Sequence, residues 1–345
     1  MKKNIVFVIG AGASKEVNLP TGFELKAIIS DLINIRFNLR GGLFSGDANI
    51  MFALKEHAKE NNEQTINSYL TEAWLIRDAL PQASSIDSFI DHQKGNEKLA
   101  LCGKLGIVRS ILQAESDSLL YFDIHNLEKN IDFTTISDTW YTSFFQILIG
   151  SKSRNNLKER FESITLIIFN YDRCVEHFIY HALQNYYRMP SEEAAELIKS
   201  LKIYHPYGSV GRLPWMGGSD TVQFGLLPEP INLLKIAGKI KTFTEGTDPN
   251  SSEIDGIRQQ IGSADKLFFL GFAFHRLNMD LLFPENYYKQ RSNIKCFATA
   301  YNISNSDQMV IKDQIKEILG AKAQINMVDQ KCFQFFHTFQ RSLNF

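Results

Sequence analysis

The sequence has few cysteines, and no two of them lie close enough to form a CxxC pair. Cys102, Cys174, Cys296 and Cys332 are scattered singly through 345 residues. This spacing argues against a zinc ribbon and a disulfide framework, and it favours reduced thiols. Cys174 and Cys296 lie in apolar runs, which predicts that they are small core residues. The sequence therefore predicts no metal site.

Long apolar runs are also missing. No stretch approaches the ~20 apolar residues that a membrane-spanning helix needs. Lys2 and Lys3 followed by Ile5 to Ile9 imitate a secretory signal, but the apolar run is shorter than the roughly 7 to 15 residues of such a signal. The sequence therefore predicts a cytoplasmic chain with no membrane partner.

An excess of charge of one sign is absent as well. The formal net charge is -1, with 44% hydrophobic and 22% charged residues, which is an ordinary globular composition. A chain with so little net charge has no overall field to attract a polyanion, so contact with nucleic acid is expected only indirectly. No internal repeat or low-complexity linker divides it, and its length suits one enlarged domain or two.

What the sequence does have is a series of short apolar runs typical of buried parallel strands. Ile5 to Ile9, Ile164 to Phe169 and Lys266 to Leu270 are the clearest. Further strands are predicted near 202–205, 294–298 and 323–328. Helices are predicted with the buried stripe Val175, Phe178, Ile179, Ala182 and Leu183, after Pro230, from about Ser251, and near 306–319. Repeated strand-helix units predict a parallel sheet covered on both faces.

Residues 24 to 161 have a different pattern. Their apolar residues recur at helical spacing, as in Leu25, Ile28 and Ile29, and no convincing strand is found there. The sequence therefore predicts an α/β fold in which a Rossmann-like parallel sheet is built from residues 1–24 and 162–345. Residues 25–161 are predicted to form a large helical insertion.

The first candidate site follows the first strand, where Gly10-Ala11-Gly12-Ala13-Ser14 passes from strand to helix. Glycines let the backbone approach a phosphate, a helix N-terminus favours negative charge, and Ser14 adds a hydroxyl donor. The alternative is a structural turn. The third glycine of the usual dinucleotide motif is missing, and Asp31 lies in a helical pattern. An ordinary NAD dehydrogenase therefore fits badly.

Three more polar or glycine positions follow other strands. Asn170 and Asp172 follow the second clear strand, His205 follows a short strand, and Gly271 follows Leu270. Alone, the Asn and Asp side chains could cap a helix, the histidine could be structural, and the glycine could be a turn. The carboxyl ends of parallel strands share one rim, so we expect these residues to form one site.

In this order, the four segments resemble the SIR2 or sirtuin family, whose fold is a Rossmann-like NAD-binding domain. Phe169-Asn170-Tyr171-Asp172 and His205-Pro206-Tyr207-Gly208 are most similar to bacterial SIR2-like proteins that deplete NAD in antiphage defence. Ser85 to Phe89, within the predicted insertion, is similar to a recurrent element of that group.

The resemblance implies a role for each matching residue. Asn170 matches the asparagine that holds the nicotinamide ribose and the attacking nucleophile, and His205 matches the general base. Asp172 corresponds to the acid that recognises the carboxamide, and Phe23 to an aromatic residue over the nicotinamide pocket. The residues implied to bind NAD are Gly10, Ala11, Gly12, Ser14, Phe23, Asp172 and Gly271.

The departures from the family pattern bear on the reaction. Protein-deacylating sirtuins carry a zinc module with paired CxxC motifs, which this chain lacks. Phe169 replaces a ribose-contacting glutamine, and Glu24 replaces an arginine. The helical insertion takes the place of the part that would clamp an acylated peptide. We therefore expect water to be the nucleophile, with NAD as the substrate and nicotinamide and ADP-ribose as the products.

Two other functions remain open at this stage. One is an NAD-dependent protein deacylase, and the other is a non-catalytic module that binds NAD or ADP-ribose within a larger complex. The presence of both Asn170 and His205 favours an enzyme. An NADase that was always active would poison its host, so the resemblance implies an inhibited resting state. Relief is expected through homo-oligomerisation or a partner such as a HerA-like ATPase or an Argonaute.

Overall fold

In a computed structural model, the described residues are 4–123, 130–150, 153–218, 220–246, 252–284, 294–320 and 322–343. The strands are β1 (Ile5–Ile9), β2 (Arg36–Phe37), β3 (Leu43–Ser45), β4 (Ile164–Ile168), β5 (Lys202–Tyr204), β6 (Lys266–Leu270), β7 (Lys295–Thr299) and β8 (Gln324–Val328). Six of them form one sheet, and β2 and β3 pair as a separate antiparallel hairpin.

The six-stranded sheet is parallel throughout and has the spatial order β5-β4-β1-β6-β7-β8. Taken in chain order, these strands are arranged as 3-2-1-4-5-6, which is the Rossmann order. The order reverses between β1 and β6, and ligands of such sheets bind at this switch point beyond the carboxyl ends of the strands. The predicted α/β, Rossmann-like sheet is confirmed.

The central strand β1 is fully buried on both faces. Val6 and Val8 belong to one hydrophobic core, whereas Ile5, Phe7 and Ile9 belong to the core on the other face. This alternation follows from the two-residue period of a strand. Each such buried side chain contributes about 1.5–3 kcal/mol of burial free energy, which holds the switch point rigidly in place.

The helices before β4 are α1 (Ala11–Ser14), α2 (Gly22–Ile33), α3 (Ala48–Glu60), α4 (Asn67–Ala79), α5 (Ile86–His92), α6 (Glu97–Ser116), α7 (Trp140–Ile149) and α8 (Leu157–Phe161). The region is mainly helical, as predicted, but the expectation that it holds no strand is wrong because of the β2–β3 hairpin. Those strands are two and three residues long and have no fully buried side chain. They therefore carry no hydrophobic alternation for a sequence to reveal.

Helix α7 packs against the same sheet face as β1 residues Ile5, Phe7 and Ile9. Its Phe144 ring makes an edge contact with Phe7 at 5.2 Å, and the Trp140 indole N–H donates to the carbonyl of Ala13 at 2.9 Å. A helix of the predicted insertion thus helps to cover the sheet and supports the glycine loop. The division into a Rossmann-like domain and an insertion stays a prediction.

The helices after β4 are α9 (Cys174–Tyr187), α10 (Ser191–Ile198), α11 (Pro230–Ala237), α12 (Phe243–Gly246), α13 (Ser252–Ser263), α14 (Arg276–Leu282), α15 (Asn305–Leu319), α16 (Cys332–Thr338) and α17 (Gln340–Leu343). The apolar stripe predicted on α9 is buried, with residues Val175, Phe178, Ile179, Ala182 and Leu183. Cys174 and Cys296 are buried free thiols, which confirms them as core residues. Among the described helices, none is long and apolar enough to cross a membrane.

Candidate functional site

The glycine loop after β1 packs directly against the loop after β6. The N–H of Gly10 donates to the carbonyl of Leu270 at 2.9 Å, and the N–H of Gly12 donates to the carbonyl of Gly271 at 3.0 Å. A Cβ atom on Gly12 would lie 2.9 Å from the Gly271 oxygen. Gly271 has a left-handed φ of +55°, and a Cβ there would lie 2.0 Å from the Ala13 nitrogen. Close approach of two backbones thus requires these glycines.

This packing limits the phosphate-binding role expected of the loop. The N–H groups of Gly10, Gly12 and Ala13 all donate to backbone carbonyls within the protein. Helix α1 has only four residues and continues as a 3₁₀ turn at Lys15–Val17, so few peptide dipoles add to its N-terminus. Gly12 is exposed at the rim, and Ala11 is partly exposed. The loop therefore acts in part as a structural turn, which is the alternative that the sequence left open.

The same packing predicts a large loss of stability for Gly271→Ala. The Cβ atom would overlap the backbone at Ala13 in addition to the strain of a left-handed residue, so we expect a loss of about 4 kcal/mol or more. Gly41→Ala is the matched control, since Gly41 has φ +78° with no atom near its Cβ position. Its expected loss is about 1–2 kcal/mol.

Urea unfolding of both variants measures the difference, and equal losses would contradict the backbone overlap. In Gly12→Val, the valine Cβ would likewise press against the Gly271 carbonyl. That variant therefore does not separate binding from folding.

A chain of buried hydrogen bonds joins the ends of β1 and β4. The Ser14 hydroxyl donates to Asp172 Oδ2 at 2.9 Å, and Asn170 Nδ2 donates to Ser14 Oγ at 2.9 Å. Because the one hydroxyl proton of Ser14 goes to Asp172, its oxygen can only accept from Asn170. This fixes the Asn170 amide with Nδ2 toward Ser14. Its Oδ1 has no partner among the described residues and can accept a hydrogen bond from a ligand or water.

Asp172 is 3% exposed and uses both of its carboxylate oxygens. Oδ2 accepts from Ser14, and Oδ1 accepts the backbone N–H of Cys174 at 3.1 Å, at the first residue of α9. Burial raises the pKa of Asp172, and the bonds from Cys174 and Ser14 oppose that rise. Asp172 therefore bonds both to Ser14 and to the first residue of α9. The bond to α9 is the helix-capping role that the sequence left open.

His205, at the end of β5, has an acceptor oxygen at each ring nitrogen. Nδ1 lies 3.2 Å from the backbone carbonyl of Asn170, and Nε2 lies 2.6 Å from Glu176 Oε1. Glu176 is 3% exposed, and its Oε2 has no hydrogen-bond partner among the described residues. Burial lowers the pKa of His205, but the Glu176 carboxylate, the Asn170 carbonyl and Asp172 together more than offset this, so the pKa lies above its usual value.

The two contacts fix the protonation of this pair. A backbone carbonyl can only accept, so Nδ1 carries a proton. A second proton must lie between Nε2 and the Glu176 carboxylate, either on the ring or on the acid. In this conformation His205 therefore has no free lone pair with which to act as a base. Glu176 was missed by the sequence analysis because it is not part of the apolar stripe of α9, and nothing in the sequence marks it as buried.

The start of α9 is also held by a buried ion pair. Arg173 and Glu115 are 1% and 0% exposed at their side chains, and Arg173 Nε donates to Glu115 Oε1 at 3.0 Å. Arg173 Nη1 donates to the carbonyl of Val222 at 2.6 Å, and the Gly225 N–H donates to Glu115 Oε2 at 3.2 Å. These extra bonds satisfy both charged groups, as a buried pair requires. Helix α6 is thereby fixed to the helix that carries Glu176.

Neither a protein-family model nor a curated protein matches this chain. The resemblance to the SIR2 family therefore depends on the residues that carry it in the sequence and on how the structure arranges them. The rim brings together Ser14, Asn170, Asp172 and His205 through the contacts above, and it brings the glycine loop to Gly271.

Phe23 does not join this group. Its side chain is 79% exposed on the first turn of α2, where the Lys26 ammonium lies 5.1 Å from the ring centroid. Glu24, beside it, closes a capping box with Thr21 and pairs with Lys15 at 2.5 Å. Among the described residues, no group of three or more His, Cys, Asp or Glu side chains could hold a metal ion.

Tyrosines next to the rim connect it to other elements. The Tyr171 hydroxyl donates to Asp87 of α5, which belongs to the Ser85–Phe89 segment noted in the sequence. The Tyr207 hydroxyl donates to Asn278 Oδ1 at 2.5 Å. Burial raises the pKa of Asp87 to about 6, the bond from Tyr171 opposes this, and the charge of Asp91 adds to it.

This raised pKa predicts a pH-dependent gain in stability for Asp87→Asn. Asp87 favours folding most below its unfolded pKa of about 3.9, and this contribution is lost as the pH rises through about 6. Asparagine keeps an acceptor for Tyr171 and does not ionise, so the variant does not lose this stability as the pH rises. We expect the variant to exceed the parent by about 1–2 kcal/mol at pH 7.5, after allowing for solvent screening of this partly exposed group.

Urea unfolding at pH 4.5 and 7.5 measures the effect, and the gain should shrink toward the lower pH. The exposed Asp78→Asn is the control and should show no such gain, because Arg77 lowers the pKa of Asp78. A gain for Asp87→Asn that is equal at both pH values would contradict the prediction.

Proposed function

We propose that this chain hydrolyses NAD at the bond between nicotinamide and ribose. The observation that carries the proposal is the buried chain Asn170–Ser14–Asp172, with His205 on the Asn170 carbonyl, at the carboxyl rim of a Rossmann-order sheet. Ligands of such sheets bind at this rim. The residue types and their order are those of the SIR2 resemblance, and no separate sequence match supports it.

The chemistry suits a site with few catalytic groups. The C1′–N bond breaks, its electron pair passes to the pyridinium nitrogen, and nicotinamide leaves without a proton. The ribose passes through an oxocarbenium-like state, as in glycoside hydrolysis. Water forms the new C1′–O bond and loses one proton to the protein or solvent. The products are nicotinamide, ADP-ribose and one proton.

Each rim residue has a proposed task. Asn170 Oδ1, the free atom of an amide fixed by Ser14, accepts a hydrogen bond from the attacking water or a ribose hydroxyl. Positioning of this kind supplies much of the rate in such reactions. Asp172 holds Ser14 and the start of α9, and it meets the carboxamide through lone pairs that its two hydrogen bonds leave free. The loops at Gly12 and Gly271 hold the remote part of NAD.

His205 accepts the proton only after the ring has released to solvent one of the two protons that its contacts hold in this conformation, which opens that contact and frees a lone pair. The contact of Nδ1 with the neutral Asn170 carbonyl is the longer, at 3.2 Å, whereas Nε2 lies 2.6 Å from a carboxylate. Charge-assisted hydrogen bonds are the stronger kind. We therefore assign proton acceptance to Nδ1, with Nε2–H held by Glu176. Glu176 is a positioning residue in this scheme.

A second candidate is a module that binds NAD or ADP-ribose without cleaving it. It is favoured by one observation, that both ring nitrogens of His205 are engaged in this conformation. The same observation suits an enzyme in an inhibited resting state that self-assembly or a defence partner relieves. A cytoplasmic defence effector that depletes NAD is the role that the SIR2 resemblance suggests.

The test is to incubate the full chain with NAD and to follow nicotinamide and ADP-ribose by chromatography, with and without an acetylated lysine peptide. Hydrolysis predicts release of both products without peptide. Release that occurs only with peptide would instead identify a deacylase.

A further inference from the structure

Aromatic side chains line a cavity on the outer face of α9. The helix turns Val175, Phe178 and Ile179 toward the sheet, while His177 and His181 lie on the opposite side. The cavity has a volume of about 230 Å³. It shares no lining residue with the rim described above, so its ligand is independent of the proposed NAD hydrolysis. We call it the outer cavity.

Two ring stacks form its walls. His177 and Phe224 lie face to face, with ring centroids 3.9 Å apart and an interplanar angle of 3°. Tyr180 and Trp215 are stacked at 4.7 Å and 9°. His181 touches both sides through an edge contact with His177 at 4.6 Å and one with Tyr180 at 5.1 Å. Flat, rigid walls of this kind suit a flat ligand.

The polar atoms of the cavity are neutral. The indole Nε1 of Trp215 is buried and has no hydrogen-bond partner among the described residues. A buried donor without a partner is uncommon, and a ligand acceptor would satisfy it. The Gln223 side chain also lines the cavity. Burial lowers the pKa of His181 to about 4 and holds that of His177 well below its usual value, so both rings are uncharged at neutral pH.

We propose that the outer cavity binds an uncharged nucleobase, which packs against the aromatic walls and accepts a hydrogen bond from the buried Trp215 indole N–H once that ring turns toward it. Pockets for drug-sized ligands have volumes of about 300–1,000 Å³, so this smaller cavity suits one ring system rather than a dinucleotide. Aromatic stacking tolerates any base, because every base has a π face. No lining side chain among the described residues offers a charge to a phosphate or carboxylate.

The experiment is calorimetry of the full chain with adenine as the probe. Trp215→Phe keeps the stacked ring and removes the N–H, and we expect the dissociation constant to rise at least tenfold, the cost of about one hydrogen bond. Trp74→Phe is the matched control, since Trp74 donates to the Ile35 carbonyl elsewhere in the fold. It should leave adenine binding unchanged, as should Asn170→Ala at the rim.

A second measurement does not depend on any variant folding normally. The chain has three tryptophans, so its ¹⁵N NMR spectrum holds three indole N–H signals, and adenine should shift that of Trp215. Uracil should also bind, and its 6-carboxylate, orotate, should bind much more weakly. The proposal is overturned if adenine does not bind at millimolar concentration or binds Trp215→Phe equally well. Loss of binding in Asn170→Ala would place the base at the rim and would also overturn it.

Discussion

Replacing Asn170 with alanine is expected to lower the rate of nicotinamide release from NAD by about 10²- to 10⁴-fold, because misplacing the attacking water costs that much. The variant loses Oδ1, the acceptor atom that the bond to Ser14 leaves free to hold water or a ribose hydroxyl. Initial rates by chromatography, at saturating NAD and in the assembled state of the protein, measure the effect. NAD affinity by calorimetry should fall much less than turnover.

Ser14→Ala is the matched control for this variant. It removes the bond to Asn170 Nδ2 but leaves Oδ1 in place, so we expect a smaller loss of rate. Both side chains are buried, and unfolding curves must first show that each variant is folded. If a folded Asn170→Ala protein released nicotinamide at the parent rate, Asn170 would have no catalytic role.

His205→Ala is expected to reduce nicotinamide release by a similar factor of about 10² to 10⁴ through loss of the base. Glu176→Gln tests the base more specifically, because it keeps a polar side chain at that position and removes its charge. The Glu176 carboxylate holds the pKa of His205 above its usual value against the effect of burial. In the parent, activity should therefore rise with pH through this raised pKa.

In Glu176→Gln, the pKa of His205 should fall, because the opposite charge at contact distance is lost. The rising limb of the rate profile should move to lower pH by the same amount. Asp172 and the Asn170 carbonyl also act on this ring, and the variant leaves them in place.

NMR titration of the His205 ring in both proteins measures that pKa without any substrate. Glu193→Gln, which removes an exposed partner of Arg154, is the control and should leave both the pKa and the rate profile unchanged. A rate profile that stays in place while the NMR pKa moves would show that His205 is not the base. An NMR pKa that does not move would contradict the charge pairing itself.

The centre of the sheet could be predicted from the sequence because its inner strands are buried on both faces. Ile5–Ile9 and Lys266–Leu270 were predicted with the bounds that the structure has, since a fully buried strand has an unbroken apolar run between polar or glycine residues. The exposed β2–β3 hairpin carries no such signal. The strand order also gives the switch point, which is why residues distant in sequence meet at one rim.

The charged partners in the site could not be predicted in the same way. Glu176 and Glu115 are buried only because His205 and Arg173 compensate them across 29 and 58 residues of chain. From the sequence alone, a glutamate on a helix is expected to be exposed to solvent. The contacts of both His205 ring nitrogens likewise depend on the tertiary structure, so the sequence does not reveal them. The packing of Gly12 on Gly271 depends on two loops that only the closed sheet brings together.

The most direct test of the account is the ratio of products from NAD when the parent protein is assembled and NAD binding is measured in the same sample. The proposed NAD hydrolysis predicts that NAD binding is saturable. It also predicts one nicotinamide and one ADP-ribose for each NAD consumed, with no peptide present. Saturable binding with no release of nicotinamide would contradict hydrolysis and identify a binding module. Absence of NAD binding would contradict the assignment of the rim as an NAD site.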